Sequence, residues 1–557
     1  MPRHISALLL ILLTLAACAS PPPRLPTPAS QSPTPDSRLP PPDSLQASWW
    51  DSAVCYEVFV RSFYDSDGDG VGDLNGLIQK LDYISDGDPA TTGDLGASCI
   101  WLMPIMKAAS YHGYDVTDYY TVDPAYGSND DFKRLVAEAD KRGIKVILDL
   151  VLNHTSSQHP WFQAALRDPA SPYRDYYLWA KQKPTYRGPF GGEAWYKSPL
   201  ADEYYYAMFW SEMPDLNYRN PAVTAEAEKI SAFWLNEMGA AGFRMDAVKH
   251  LIEDQAAQAD TVETHNWLRG YRTFLQATAP GSFTIGEIFD GKPSTLADYY
   301  PDQLDMYFEF AVAKQTIGAA NVGISSLYMK AVSDAYSKLP SQRWAPFLTN
   351  HDQNRAMSVL GDSMPKAKLA ALGLLTLPGL PFVYYGEEIG MLGKKPDERI
   401  RTPMQWADGA GGGFTSGAPW EPPQDDAATK NVASQDGDPG SLLNTYRTLI
   451  NLHVGTPALA TGDFTPLEAK GLAAFIRSQG DSRVLVVINF DSDPASGFSL
   501  GAAASGLPAG IYQLTPIYGP PSGAPAALTV GDGGSFAGYA PLAEIPPQTG
   551  YIFLITP

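Results

Sequence analysis

Basic side chains are scarce in this sequence. Lysine and arginine together number 40 against 61 aspartates and glutamates, so the formal net charge is -21. Nucleic acids and anionic membrane surfaces bind basic patches, and this balance argues against both as partners. A neutral ligand such as a sugar is compatible with the acidity, most of which we attribute to solubility.

Cysteine is also rare, with three residues in a chain of 557. Cys18 closes the segment Leu15-Ala16-Ala17-Cys18, after a basic start and an apolar run too short to span a bilayer. This four-residue segment resembles a bacterial lipobox. We therefore expect residues 1–18 to be a lipoprotein signal peptide, with Cys18 lipidated as the first mature residue; an ordinary cleaved signal is the alternative.

The other two cysteines, Cys55 and Cys99, each lie in an apolar, strand-like run. If these runs are neighbouring parallel strands in an exported protein, the two thiols are close enough to pair. Cross-strand geometry often forbids such a bond. A disulfide and two separate buried thiols both stay open.

Residues 19–47 are rich in proline and serine, which is typical of a semi-extended tether. Together, the signal and the tether predict an exported protein anchored by lipid at the bacterial cell surface or periplasmic face, with secretion as the alternative. The lipid anchor is the only membrane contact that we expect. We also expect a monomer.

The chain is too long for one hydrophobic core and shows no internal repeat. Residues 48–154 and 216–456 alternate short apolar runs with amphipathic stretches, the pattern of parallel βα units. Eight units can be counted, which predicts a (β/α)8 TIM barrel. The strand candidates are residues 55–59, 98–103, 145–151, 242–245, 283–286, 304–308, 344–347 and 381–385, and helices are expected at 129–142 and 221–238.

Two further regions differ from the barrel pattern. Residues 155–215 form a long aromatic excursion after the third strand, which predicts a small inserted subdomain. Residues 457–557 contain short apolar runs punctuated by glycine and proline, with a hairpin turn at Gln479-Gly480-Asp481. We expect a C-terminal antiparallel β-sandwich there.

Three segments each place a carboxylate where a buried strand ends: Gly242-Phe-Arg-Met-Asp246, Thr284-Ile-Gly-Glu287 and Phe347-Leu-Thr-Asn-His-Asp352. Barrel enzymes carry their chemistry at these strand ends. Retaining cleavage of a glycosidic bond needs a carboxylate nucleophile and a carboxylic acid that protonates the leaving oxygen. A third carboxylate can stabilise the oxocarbenium-like transition state.

The flanking residues distinguish the roles of the carboxylates. Alternation places Arg244 on the same strand face as Asp246, and its charge favours an ionised nucleophile. The apolar strand before Glu287 shelters its carboxyl and favours the protonated acid. Taken singly, each motif is also explained by an ion pair or a helix cap; their common position at strand ends favours the catalytic interpretation.

Aromatic and histidine side chains cluster in the loops at the same strand ends. Tyr111-His112-Gly113-Tyr114-Asp115 follows the second strand, and Asn153-His154 follows the third. A pyranose offers an apolar face and hydroxyl groups, which suit an aromatic platform with histidine donors. A single histidine is more often structural, but two at one barrel rim favour a sugar site.

Together these segments resemble the ordered signature regions of the α-amylase family, glycoside hydrolase family 13, over about residues 49–557. The resemblance implies that Asp246 is the nucleophile, Glu287 the general acid and base, and Asp352 the transition-state stabiliser. It also implies a set of substrate-binding residues: His112, Tyr114, Asp115, His154, Arg244, Lys249, His250 and His351.

Other matches point to different groups within the family. Met213-Pro-Asp-Leu-Asn217 resembles a region intermediate between oligo-1,6-glucosidases and neopullulanases, and Arg401-Thr-Pro-Met-Gln-Trp406 is similar to the oligo-1,6-glucosidase side. Tyr111-His-Gly-Tyr114 and Asp246-Ala-Val-Lys-His250 are similar to endo-acting α-amylases, and these would line the cleft.

We therefore expect a bacterial α-amylase lipoprotein that cleaves internal α-1,4 bonds of starch and maltooligosaccharides. The alternatives are an exo-acting α-glucosidase or oligo-1,6-glucosidase, a neopullulanase-like enzyme and a trehalose synthase. A rival of another class is a non-catalytic barrel like the ectodomains of amino-acid-transporter heavy chains. Such proteins usually lack part of the carboxylate set that is complete here.

One acidic loop predicts a structural calcium ion. Oxygen ligands are spaced at alternating positions, at Asp65, Asp67, Asp69, Val71 and Asp73, with a glycine at position 6. The loop departs from an EF-hand, because Gly76 stands at position 12. It resembles the metal loop after the first barrel strand of oligo-1,6-glucosidase relatives; a solvated acidic turn is the alternative. A second calcium, at Asn153, Asp215 and the carbonyl of His250, is implied only by the resemblance.

Overall fold

The computed structural model describes residues 48–289 and 291–557. The predicted signal peptide, the tether and Cys18 lie outside the described residues. Within the described part, no helix is both long and apolar enough to cross a membrane.

Seven parallel strands form the central sheet, and each of them is buried. Neighbours along the sheet pair in register, for example Cys55 with Cys99 and Ile147 with Gly242. In chain order the strands are Cys55–Val58, Cys99–Leu102, Lys145–Leu150, Gly242–Met245, Phe283–Gly286, Met306–Tyr307 and Phe382–Tyr384. They agree with seven of the eight predicted strands, although Met306–Tyr307 is shorter than expected.

Residues 344–347 lie in the place of the remaining barrel strand but form a single parallel bridge, between Phe308 and Ala345. The Ala345 N–H donates to Tyr307 O at 3.0 Å on one side, and the Phe382 N–H donates to Pro346 O at 2.9 Å on the other. Pro346 has no N–H to donate, so a regular ladder cannot continue. The prediction of a full seventh strand is thus wrong, yet this segment closes the sheet into a barrel.

Helices cover the outside of the barrel. Asn129–Asp140 begins at a capping box in which Ser128 and Asp131 exchange hydrogen bonds. Pro221–Ala232 begins at an Asn220 cap and continues as a π-helical turn, Phe233–Glu237. Both begin where the sequence predicts. The other long helices are Val262–Thr278, Phe310–Val322, Ser325–Lys338, Met364–Leu375 and Leu442–Gly455.

A small subdomain is inserted after the third strand. It contains the helix Pro160–Arg167 and an antiparallel sheet of the strands Trp179–Ala180, Tyr204–Tyr206 and Trp195–Lys197. Trp195 and Tyr206 pack together in a cluster of their own, with ring centroids 5.2 Å apart. The aromatic composition of this stretch therefore builds its local core.

The C-terminal region is antiparallel, as predicted. The hairpin strands Ala473–Gln479 and Ser482–Asn489 meet at the turn that the sequence marks, and Gly480 adopts φ 57° there. Six strands form one sheet and three form another, and one apolar cluster includes side chains of both. Two sheets that share a core form a β-sandwich. Its strands are Asp463–Pro466, Ala473–Gln479, Ser482–Asn489, Thr549–Thr556, Gly510–Tyr518 and Leu528–Val530 in one sheet, and Glu468–Ala469, Leu500–Ala502 and Phe536–Tyr539 in the other.

Cys55 and Cys99 form a disulfide. They are direct partners in the pairing of the first two barrel strands, with Cα atoms 4.3 Å apart. From the sequence, a disulfide and two separate thiols were equally open. The strand register, which places Cys55 opposite Cys99, favours the disulfide.

Candidate active site

The predicted catalytic carboxylates meet in one pocket at the C-terminal end of the barrel. Asp246 and Glu287 directly follow the strands Gly242–Met245 and Phe283–Gly286. Asp352 follows the bridging segment 344–347. All three line a cavity of about 500 Å³, together with the predicted sugar-binding residues His112, Tyr114, His154, Lys249 and His250.

Arg244 lies beneath the pocket and is 1% exposed. Its Nη1 lies 2.7 Å from Asp246 Oδ1 and 2.8 Å from Asp149 Oδ1, and its Nη2 lies 2.8 Å from Glu287 Oε2. A planar guanidinium is suited to such a fork of contacts, which a lysine cannot reproduce. The positions of the nucleophile and acid candidates are thereby fixed relative to each other.

Glu287 has the environment of a proton donor. Burial raises the pKa of its carboxyl to about 8, against the opposing charge of Arg244. The negative charge of Asp246 acts in the same direction as burial. At neutral pH Glu287 is therefore protonated while Asp246 remains paired with a cation, which is the division of labour that acid-assisted displacement needs.

Asp352 has a different electrostatic environment from Glu287. Its side chain is 39% exposed to the pocket, and Arg401 Nη2 lies 2.8 Å from its Oδ1. Burial favours the neutral acid, but the neighbouring His351 and Arg401 outweigh it and lower the pKa of Asp352 to about 2. Burial also lowers the pKa of His351, to about 3, so Arg401 supplies the charge at neutral pH.

The histidines at the pocket are held by backbone groups. His154 Nε2 lies 3.1 Å from Tyr114 O, and His112 Nδ1 accepts from the Tyr114 N–H at 3.1 Å. His250 Nδ1 lies 2.6 Å from Gln258 O. Within the described residues its Nε2 has no partner, although the side chain lines the pocket. Lys249 Nζ donates to Phe289 O at 2.8 Å.

Three predicted binding residues lie beneath the lining: Arg244, His351 and Asp115. They are 1%, 1% and 3% exposed. Asp115 Oδ1 accepts from Ser110 Oγ at 2.6 Å and from the Ser110 N–H at 3.1 Å, so Asp115 orders its own loop. Its expected contact with substrate stays a prediction.

Sequence reasoning missed several lining residues. Lys395, Asp397 and Arg401 come from the loop after the last strand, and Arg401 was noted only as a family match. Four further aromatic side chains also line the pocket: Phe190, Phe209, Trp210 and Phe289. Glu57 and Asp149, which lie below, are charged residues inside apolar strands, a signal that could have identified them.

The acidic loop brings together part of the predicted metal set. One oxygen each of Asp65, Asp67 and Asp73 lie within 4.8 Å of one another. Carboxylate oxygens are the ligands that hard cations prefer, so the donor set fits calcium. Asp69 is not in this group; its Oδ1 accepts from the Val71 N–H at 2.8 Å. Three of the five predicted ligands therefore lie together, and the backbone ligand predicted at Val71 stays a prediction.

The three groups predicted for a second calcium already have hydrogen-bond partners within the protein. Asn153 Nδ2 donates to His250 O at 2.9 Å, and Asp215 Oδ1 accepts from the Met208 N–H at 2.8 Å. The second calcium stays a prediction.

Comparison with known proteins identifies the family. The family model "Alpha amylase, catalytic domain" matches residues 57–462. The chain belongs to the α-amylase family. Alpha-amylase 3 of Dictyoglomus thermophilum is 40% identical over 451 residues, covering 80% of this chain and 85% of that protein. An alpha-amylase from H. orenii matches in structure with a TM-score of 0.79 and 40% identity, over 91% of this chain and all of that one.

Other relatives within the α-amylase family carry different names. Trehalose synthase/amylase TreS of Mycobacterium tuberculosis is 33% identical over 80% of this chain and 83% of its own length. Oligo-1,6-glucosidase of Parageobacillus thermoglucosidasius is 31% identical over 80% of this chain and 91% of its own length. The chain is therefore a glycosidase with a TIM barrel, as predicted, and its specificity has to be argued from the pocket.

Proposed function

We propose that this glycosidase is an endo-acting α-amylase that cleaves internal α-1,4 bonds of starch and maltooligosaccharides with retention. Asp246 attacks the anomeric carbon while Glu287 gives its proton to the leaving oxygen, and a covalent glycosyl ester forms. Water then attacks this ester, and Glu287 takes up the proton of the water. Asp246 and Glu287 are thereby restored.

The surroundings support these roles. Arg244 keeps the attacking Asp246 oxygen paired until displacement begins, and it orients the Glu287 carboxyl beside it. Asp352 is ionised and half-exposed to the pocket, so its charge can stabilise positive charge that develops on the sugar ring. No other group is needed for the proton transfers.

Three exposed aromatic side chains around the pocket support a carbohydrate ligand. Phe190 is 58% exposed, Trp210 51% and Phe289 45%. Exposed large apolar groups at a pocket rim mark binding surfaces, and rings of this kind pack against the apolar faces of sugars.

The observation that carries the endo assignment is that the pocket continues into a second cavity. Phe289, Asp352 and Lys395 line the pocket and also a groove of about 650 Å³ beside the helix Phe310–Val322. A pocket closed at one end holds a chain terminus. A pocket that opens into a groove accommodates a glucan that extends past the cleaved bond, which supports internal cleavage.

A product analysis tests the proposal. The protein is incubated with starch, pullulan, isomaltose and maltose, and with a maltoheptaose blocked at its non-reducing end. Mixed maltooligosaccharides that appear early, together with cleavage of the blocked substrate, are expected. Glucose alone, or no reaction of the blocked substrate, would refute endo action, and trehalose formed from maltose would indicate a synthase instead. The Asp246→Asn variant serves as the inactive control.

We also propose that the Asp65, Asp67 and Asp73 cluster holds a structural calcium ion. Three clustered carboxylates repel one another, and a divalent cation between them relieves this repulsion. The cluster lies in the loop after the first barrel strand, so its effect is expected on stability.

Export with lipidation at Cys18 is a further proposal, supported by the lipobox-like segment Leu15-Ala16-Ala17-Cys18. The mature chain is proposed to act as a monomer with an α-glucan as its partner. Labelling of cells with a radioactive fatty acid tests the anchor: label should enter the wild type and be lost in Cys18→Ser. Labelling of that variant would refute the assignment.

A further inference from the structure

Glu57 is a buried carboxylate that the proposed mechanism does not use. It lies on the strand Cys55–Val58, and its side chain is 2% exposed. Its Oε1 lies 2.6 Å from Nδ1 of His351, which is 1% exposed. His351 directly precedes Asp352 in the chain, and only the strand Phe382–Tyr384 lies between the strand of Glu57 and the segment that leads to this loop.

A continuous path of contacts joins Glu57 to the reacting groups. His351 Nε2 lies 2.6 Å from Tyr114 Oη and 3.3 Å from Asp352 Oδ2. Tyr114 Oη donates to Asp149 Oδ2 at 2.9 Å, and Asp149 contacts Arg244. Arg244 then contacts both Asp246 and Glu287.

The number of protons along this path is restricted. With Asp149 ionised, the single hydroxyl proton of Tyr114 is donated to Asp149, so the contact of Tyr114 with His351 needs a proton on Nε2. The contact between Glu57 and Nδ1 at 2.6 Å also needs a proton, because two lone pairs would otherwise face each other. The Glu57–His351 pair therefore carries one proton more than a carboxylate and a neutral imidazole.

The balance of charge favours the same distribution. With Glu287 protonated at neutral pH, four carboxylates lie near three cations here: Glu57, Asp149, Asp246 and Asp352 near Arg244, Arg401 and Lys395. Asp149 contacts Arg244 directly and Asp352 contacts Arg401, whereas the direct partner of Glu57 is His351. Burial raises the pKa of Glu57 well above its ordinary value, although the charge of Arg244 opposes the shift.

We propose that Glu57 is a positioning residue that keeps the extra proton on the Glu57–His351 pair, so that His351 Nε2–H donates toward Tyr114 and Asp352. This inference rests on the proposed retaining mechanism. Loss of the proton at high pH turns Nε2 into an acceptor and removes this support from Asp352. The charged and titratable groups that face the pair are Tyr114, Asp149, Arg244, Asp352, Tyr384, Lys395 and Arg401.

The test separates this proton from that of Glu287. With an α-glucosyl fluoride the leaving group needs no protonation, so kcat/KM no longer depends on the acid form of Glu287. Because burial raises the pKa of Glu57, we expect the wild type to retain an alkaline fall in kcat/KM with the fluoride. In Glu57→Gln the amide N–H donates to Nδ1 and cannot ionise, so this fall should disappear. A flat wild-type profile, or an unchanged fall in Glu57→Gln, would overturn the proposal.

A second measurement does not depend on a variant that folds. In the wild type, the imidazole N–H proton shared with Glu57 should give a strongly deshielded NMR signal, because bonds to ionised partners are short and strong. This signal should titrate over the same pH range as the kinetic fall. His351→Asn identifies the signal by its loss. A His351 that titrates independently of the kinetic fall would contradict the proposal. Any α-glucosidase of the family processes the fluoride, so failure of endo action on starch leaves this test intact.

Discussion

Arg244 shows how one buried residue can define a site. A buried charge is stable only when it is paired. Here the guanidinium of Arg244 contacts the carboxyl groups of Asp149, Asp246 and Glu287, and it offsets the repulsion between those that are ionised. Its partner Asp149 comes from a neighbouring strand, with Asp149 paired to Arg244 in the register. The sheet register therefore places the carboxylates before any substrate binds.

Substrates with different leaving groups distinguish the role of Glu287 from that of Asp246. Glu287→Gln should lower kcat/KM on starch by roughly 10² to 10⁴ and much less on α-glucosyl fluoride, because only the first substrate needs a proton. Asp246→Asn should abolish turnover of both, because it removes the nucleophile. Steady-state kinetics of both variants on both substrates checks this. Equal losses on the two substrates in Glu287→Gln would contradict the acid role.

The pH profile on starch follows from Glu287. Its protonated form is the active one, and burial raises its pKa to about 8. Activity is therefore retained below that value and falls as the pH rises through it. Measurement of kcat/KM against pH should give an alkaline limb near pH 8. A limb near the ordinary pKa of glutamate, about 4.3, would show that the group is not sheltered.

Sequence could identify the carboxylates, because each follows an apolar strand, but not the contacts between them. Glu57 and His351 are separated by 294 positions, and only the closed barrel brings them together. The family resemblance implies a substrate contact for Asp115. In the structure Tyr114 lines the pocket, whereas the carboxylate of Asp115 accepts hydrogen bonds from Ser110.

At the level of elements, the acidic loop is bound tightly to a distant segment. Asp65 Oδ2 accepts from the Gly70 N–H at 2.8 Å and from Thr415 Oγ1, and the Trp420 N–H donates to Gly70 O at 2.9 Å. A Cβ on Gly70 would lie 1.9 Å from Ala418 O. The loop therefore joins the beginning of the barrel to the segment after its last strand.

Calcium removal should loosen this connection. A ligand present at a hundred times its Kd stabilises the folded state by about 2.7 kcal/mol, so chelation should lower Tm by several degrees. Asp65→Asn should lower Tm and no longer respond to the chelator. Asp69→Asn is the matched control, because Asp69 lies outside the cluster and its variant should keep the response. Calorimetry with and without chelator measures this, and equal behaviour of both variants would contradict the three-carboxylate site.

Strands and helices were largely predictable because each is a continuous apolar or amphipathic run. The exception is instructive. Residues 344–347 are as apolar as the other strands, but Pro346 removes a donor and limits the pairing. Hydrophobic pattern shows that such a segment is buried in the barrel; it does not show how many hydrogen bonds the segment makes.

For the whole molecule, the continuity of pocket and groove determines which substrates are favoured. Phe289 lines both and is 45% exposed. Phe289→Ala should lower kcat/KM on long glucans by roughly threefold to tenfold, with little change on maltotriose, because the lost stacking is worth about 0.5–1.5 kcal/mol. Ile511→Ala is the control, since Ile511 is 63% exposed on the C-terminal sheet. Equal losses on short and long substrates would contradict an extended cleft.

The incomplete seventh strand has a consequence for local opening. The carbonyls of this segment accept backbone bonds, but within the described residues the amides of Phe347 and Leu348 have no backbone acceptor. Such amides exchange with solvent deuterium sooner than those of regular strands. The amides of Phe347 and Leu348 should therefore exchange faster than those of Lys145–Leu150, as mass spectrometry of peptic fragments can measure. Since Asp352 follows this segment, the barrel wall that carries it should be the one that fluctuates most.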